Sequence, residues 1–187
     1  AGIAIIRISG PETSEVVKRL TNGGLPPPRL ATLRKINNIN TSELIDEGII
    51  IWFPGPESYT GEDMAEIHVH GGKSVVLAVQ KEISIIKNCR LAEPGEFTKL
   101  AFQNGKINLL KAESIGDLIS AETEIQRLQA IKVMKGKSSE KFNQLREKLL
   151  KILSFIEAKI DFPEEDLPEE NLKKIKNDTS EVLNEIN

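Results

Sequence analysis

The feature that most constrains this chain is a change of apolar rhythm near residue 108. Before it, short runs alternate every second residue or are apolar throughout, with Gly and Pro between them. After it, apolar residues recur at steps of three and four, and strand-like runs disappear. A period of two suits strands and a period near 3.6 suits helices. The pattern therefore predicts an α+β part over residues 1–107 followed by an all-α helical part over 108–187. At 187 residues the chain has room for one ordinary domain and a portion of another.

Within the first part, Ile3 to Ile8 reads as a strand, then Ser9 as a helix cap with Glu12 completing a capping box, and Val16, Val17 and Leu20 as the buried stripe. Strands are predicted at Leu30 to Ile36 and at Gly48 to Phe53, the latter apolar on both faces and so placed inside a sheet. In Met64 to Val69, alternation sets Ala65, Ile67 and Val69 on one side and Glu66, His68 and His70 on the other. Gly71-Gly72 leads into a helix with Val75, Val76, Val79, Ile83 and Ile86 at helical spacing. A short strand at Cys89 to Leu91 and a helix from Pro94 to about Gln103, ended by Asn104-Gly105, complete the part.

In the second part a helix is predicted from Ala112 to Met134, broken at Gly136. Two narrow seams follow, Phe142, Leu145, Leu149, Ile152 and Ile156, then Leu172, Ile175, Thr179, Val182 and Ile186, with the acidic segment Asp161 to Glu170 as the turn between them. Ala1 opens directly on a strand and the last helix meets no stop signal, so the native chain is expected to continue at both ends.

Composition narrows the function. Twenty-five basic side chains against 28 acidic ones, and only eight aromatics, argue against blanket phosphate neutralisation or base stacking as the main activity. Charge is uneven, with eight basic and three acidic residues over 131–160 and six acidic and none basic over 161–170. The lone Cys89 rules out an intrachain disulfide and suits the cytoplasm, and no apolar run has the length of a membrane span.

His70-Gly71-Gly72-Lys73-Ser74 superficially resembles a phosphate-binding loop, but the required earlier glycine is Ile67, so a Walker-type site is excluded there. What remains is a tight turn or a helix start that attracts an anion. Glu66, His68 and His70 could face a divalent metal, yet three groups on one flat strand rarely close a coordination sphere. The alternative gives Glu66 an acceptor task, since a carboxylate complements an amide N–H beside an amino group, as on pterins and guanines. Arg7 lies among apolar neighbours, either as an exposed edge residue or as a planar donor. Lys106, after the Asn104-Gly105 turn, either complements a helix end or binds a ligand.

Several stretches together resemble the amino-terminal part of the MnmE (TrmE) family of tRNA modification GTPases. They are Gly2 to Gly10, Trp52 to Pro56 with Ser58 to Asp63, Glu66 with His70-Gly71-Gly72, Ala92 to Thr98, Ala101 to Lys106, and Ala112 to Ile115. Ile160 to Glu165 resembles the start of the family's helical domain. The resemblance implies a folate-binding, dimer-forming α+β domain similar to the tetrahydrofolate domain of aminomethyltransferases, followed by a helical domain interrupted by a G domain. It further implies 5-formyltetrahydrofolate or a related reduced folate as ligand, contacted by Arg7, Glu66 and Lys106. By position, Glu66 would meet the pterin amide edge, and Arg7 and Lys106 the carbonyl or glutamate-tail groups. No catalytic residue and no metal site is implied in these 187 residues. The family's GTP-binding loop, with its GTP, Mg and K, belongs to the full-length protein. Implied partners are a second copy, the flavoprotein MnmG and tRNA. Two readings from other classes stay open, a dimerisation scaffold without a small-molecule ligand and a metal-dependent hydrolase using His68 and His70.

Overall fold

The structure is a computed structural model and describes residues 1–161 and 169–186. Internal contacts divide the chain into two compact units, Ala1–Ala112 and Glu113–Asn187. The first unit holds four strands, β1 (Ile3–Ser9), β2 (Thr32–Asn37), β3 (Leu44–Phe53) and β4 (Met64–His70). They form one antiparallel sheet in the order β1-β4-β3-β2, so the apolar strand β3 does lie in the interior of the sheet.

Alternation along β4 works as expected. Ala65, Ile67 and Val69 are buried on one face, with Ile50 and Trp52 of β3 and Ile36 of β2 beside them. Two helices cover that face, α1 (Thr13–Thr21) with Val16, Val17 and Leu20, and α2 (Lys73–Ile85) with Val79; Ile86, just past its end, joins the same cluster. Each fully buried Val, Leu or Ile contributes about 1.5–3 kcal/mol, so this cluster is a main source of the unit's cohesion. Glu82 of α2 is also buried. Its carboxylate accepts bonds from the Asn38 amide group and the Ile39 N–H, which fastens the turn between β2 and β3 to the helix.

Three local expectations are corrected. Ser9 does not cap α1: the cap position is Glu12, with no side-chain cap bond, and Ser9 instead pairs with Thr60 and Glu62. The reason is competition, because the 58–63 loop returns beside the end of β1 and offers the hydroxyl stronger partners. Cys89 to Leu91 is not a strand, since among the described residues no neighbouring strand takes up its backbone bonds; Asn88 is left-handed and Arg90 turns to clasp Glu96. Helix α3 (Glu96–Gln103) starts two residues after Pro94, behind the left-handed Gly95.

The remaining described helices are α4 (Leu109–Ser120), α5 (Glu124–Met134), α6 (Lys137–Asp161) and α7 (Glu169–Ile186). The single helix predicted over Ala112 to Met134 is thus two. Thr123 restarts it with a capping box, its hydroxyl accepting from the Gln126 N–H while the Gln126 side chain accepts from the Thr123 N–H. Gly136 separates α5 from α6, as expected. Of the first seam, Leu145 and Ile152 are buried with Val182 of α7, and Ile175 packs against them. Phe142, Leu149 and Ile156 are exposed, because α7 covers only one line of the α6 surface. The side chains of Leu172 and Ile186, and residues 162–168 of the predicted acidic turn, fall outside the described residues.

Candidate functional site

The uncovered face of the sheet carries Arg7 of β1 opposite Glu66 of β4 in the strand register. Arg7 Nε and Nη2 both donate to Glu66 Oε1, at 3.0 and 2.7 Å. The strand pattern explains the meeting: odd positions of β1 and even positions of β4 share this face, and antiparallel register sets residues 7 and 66 directly across from one another. The Glu66 side chain is largely covered at 17% exposure, whereas Arg7 keeps 42%. A partly covered carboxylate with one guanidinium attached retains acceptor sites on Oε2. His68 Nε2 lies 3.5 Å from that oxygen.

His70, at the end of the same row, turns elsewhere. Its Nδ1 bonds Asp46 Oδ1 at 2.8 Å, and its backbone N–H bonds Asp46 Oδ2 at 2.8 Å. Burial pushes the Asp46 carboxyl up, but the bonds from the His70 backbone and imidazole and from the Glu47 N–H outweigh it, and the net shift is below the usual carboxylate value. Glu66, His68 and His70 therefore do not converge on one point. Among the described residues, no group of three His, Cys, Asp or Glu is arranged to hold a metal ion.

Lys106 is placed by the end of α3. Gly105 is left-handed at φ 68°, its N–H bonds the Phe102 carbonyl and the Lys106 N–H bonds the Ala101 carbonyl, the paired bonds of a Schellman ending. That turn sends the lysine stem across Gly61, and Nζ donates to the Pro56 carbonyl at 2.7 Å. The loop 54–63 thus touches both the Arg7–Glu66 pair and Lys106, with Tyr59 at Arg7 and Pro56 at Lys106. The structure brings Arg7 and Glu66 into contact and ties Lys106 to the loop beside them.

A cavity of about 520 Å³ runs along the outer edge of β1. It is lined by Arg7 and Phe97, and also by Glu12, Gln80 and Cys89, but by neither Glu66 nor Lys106. Burial and the nearby Glu12 charge raise the Cys89 thiol above its ordinary value, which opposes thiolate chemistry there. On the far wall, Arg90 bonds both oxygens of Glu96, which also accepts from the Glu93 N–H. The Arg90 guanidinium, aided by that N–H, holds the Glu96 carboxyl at about 2.

Two residues escaped the sequence reading. Tyr59 and Phe97 present their rings to the Arg7 guanidinium, with centroids 5.9 and 5.7 Å from its central carbon. Neither lies in a periodic stretch, and the only signal was their place in the Ser58 to Asp63 and Ala92 to Thr98 segments.

Comparison with known proteins divides the chain between residues 106 and 109, a few residues before the split between the two compact units. Residues 1–106 match the family model described as GTP-binding protein TrmE N-terminus, and residues 109–187 match the MnmE helical domain. The chain is 75% identical over 183 residues to a tRNA modification GTPase MnmE of Pelagibacter ubique, covering 98% of this chain and 41% of that protein. It is 46% identical to the protein of the same name from Rickettsia akari and 40% identical to that from Parvibaculum lavamentivorans, covering 42% of each. The chain thus spans about two fifths of the length of these relatives. With more than half its length in the first match and nearly all the rest in the second, the chain belongs to the MnmE (TrmE) family, of which it carries the N-terminal part and a stretch of the helical domain.

Proposed function

We propose that this chain binds a reduced folate, 5-formyltetrahydrofolate or its methylene counterpart, on the uncovered sheet face and that it forms a homodimer. Glu66 receives the amide edge of the pterin, Arg7 donates to a carbonyl or carboxylate of the ligand, and Lys106 exchanges the Pro56 carbonyl for an anionic tail group. The observation that carries this reading is the Arg7–Glu66 pair, 59 residues apart in sequence, which sets a planar donor beside a carboxylate whose second oxygen meets only a long 3.5 Å contact from His68. In the longer protein, the folate supplies the one-carbon unit with which the protein and a flavoprotein partner, MnmG, install an aminomethyl-type group on the wobble uridine of tRNA in the cytoplasm. GTP hydrolysis, with Mg and K, is the work of a G domain outside the two matched stretches.

A second reading, an assembly module without a small ligand, is favoured by one feature of the same face. Ile3, Ile5, Leu33 and Ile49 are exposed there, an apolar surface suited to a second copy. Thermal unfolding separates the two. A saturating reduced folate should raise the melting temperature of the wild type, since it binds the native state selectively, and Glu66→Ala should abolish the rise without changing the sedimentation coefficient. A wild-type protein that is folded and indifferent to folate would leave only the assembly reading.

A further inference from the structure

We propose that Tyr59 and Phe97 form a two-ring seat that positions the Arg7 guanidinium, holding its unused N–H donors toward an acceptor-bearing ligand. The role assigned to that ligand rests on the folate reading above; the seat itself rests on geometry. Arginine offers five N–H donors. Glu66 takes one from Nε and one from Nη2, and among the described residues Nη1 has no partner. An arginine on an edge strand, with nearly half its side chain exposed, would ordinarily sample many rotamers and present those donors in no fixed direction. Here the carboxylate fixes one edge of the guanidinium, and two aromatic rings lie within 6 Å of its centre.

The rings are themselves held. The Tyr59 hydroxyl and Thr98 Oγ1 are 3.0 Å apart, which joins the 54–63 loop to α3 next to Phe97. Thr60, fully buried, meets Ser9 Oγ at 2.6 Å and accepts at its carbonyl from the Asn104 side chain at 2.7 Å. Phe97 sits one residue after Glu96, which Arg90 and the Glu93 N–H clasp. Strand β1, the 54–63 loop and α3 therefore meet at Arg7 as a pre-organised donor, which lowers the ordering cost that a bound carbonyl or carboxylate would otherwise incur.

Four variants test this in two readouts. The first is the Arg7 Nε–H signal by nuclear magnetic resonance in ligand-free protein. The wild type and Phe97→Tyr should show it displaced by ring currents and protected from exchange by the Glu66 bond, Tyr59→Phe should keep most of that displacement despite losing the Thr98 bond, and Tyr59→Leu and Phe97→Leu should each lose much of the displacement while the Glu66 bond remains. The second is the dissociation constant for 5-formyltetrahydrofolate, expected to weaken about tenfold in each leucine variant and to change little in the ring-preserving ones. Leucine variants that keep the wild-type Nε–H signal overturn the seat. Leucine variants that lose the displacement yet bind folate normally, or that lose affinity only in proportion to lost folding, overturn its role in binding. A wild type with the displaced signal and no folate affinity refutes the folate reading, and the comparison of signals then decides the seat alone.

Discussion

At Asp46, three N–H donors from two strands meet one carboxylate, a favourable arrangement only while that group is charged. Because its folded value is depressed below the ordinary 3.8, the stability it lends is complete above that value and disappears as pH falls through the lower, folded one. Asp46→Asn should therefore destabilise the protein by about 1–3 kcal/mol at pH 7, with the gap to wild type closing in acid below pH ~4, as read from urea unfolding across pH. A gap independent of pH would mean that packing, not charge, is what the substitution removes. The sequence named Arg7, Glu66 and Lys106 as candidates through chemistry and resemblance. It could not name Asp46, which lies in a polar stretch whose strand character appears only once β2 pairs with it and whose task appears only once His70 of β4 meets its carboxylate. Tyr59 and Phe97 were illegible for a similar reason: an aromatic ring acquires a task only when a distant residue, here Arg7, is folded against it.

Among the elements, β3 shows how backbone approach fixes a residue type. A Cβ at Gly48 would stand 2.1 Å from the His68 carbonyl oxygen, a backbone atom that cannot swing away. Gly48→Ala should force β3 from β4 and cost about 1–3 kcal/mol or more, with the Ile49–His68 pairing the first to lose amide protection. Normal stability and intact protection would show that the strands reach this approach by choice of register and not by need of glycine. Elements with their own periodicity were legible: the alternation of β4, the apolar run of β3 and the 3.6 spacing of α2 all survive in the structure. Those that depend on a neighbour were not. Cys89 to Leu91 has strand composition and no strand to pair with, and Ser9 has a capping hydroxyl that the returning loop claims first. The break before α5 was within reach, because Thr123 and Gln126 have the spacing of a capping box.

For the whole molecule, the rhythm change near residue 108 already separated a sheet-bearing part from a helical one, since each period can bury an apolar face only in its own kind of element. What that rhythm left unread is which surface stays uncovered. The face exposes Ile3, Ile5, Leu33 and Ile49 together, and the dimer reading places a second copy there. Ile5→Lys, on a side chain 56% exposed, should leave the fold intact and shift the protein to monomer in sedimentation velocity; an unchanged dimer would put the interface on another face. The account as a whole depends on a reduced folate lying across Arg7 and Glu66. Titrating 5-formyltetrahydrofolate into isotopically labelled protein, and mapping which resonances move, tests that contact directly. The account predicts saturable shifts centred on Arg7, Tyr59, Glu66, His68 and Lys106. Saturable shifts confined to the cavity wall at Gln80, Cys89 and Arg90, or no shifts at all, would contradict it.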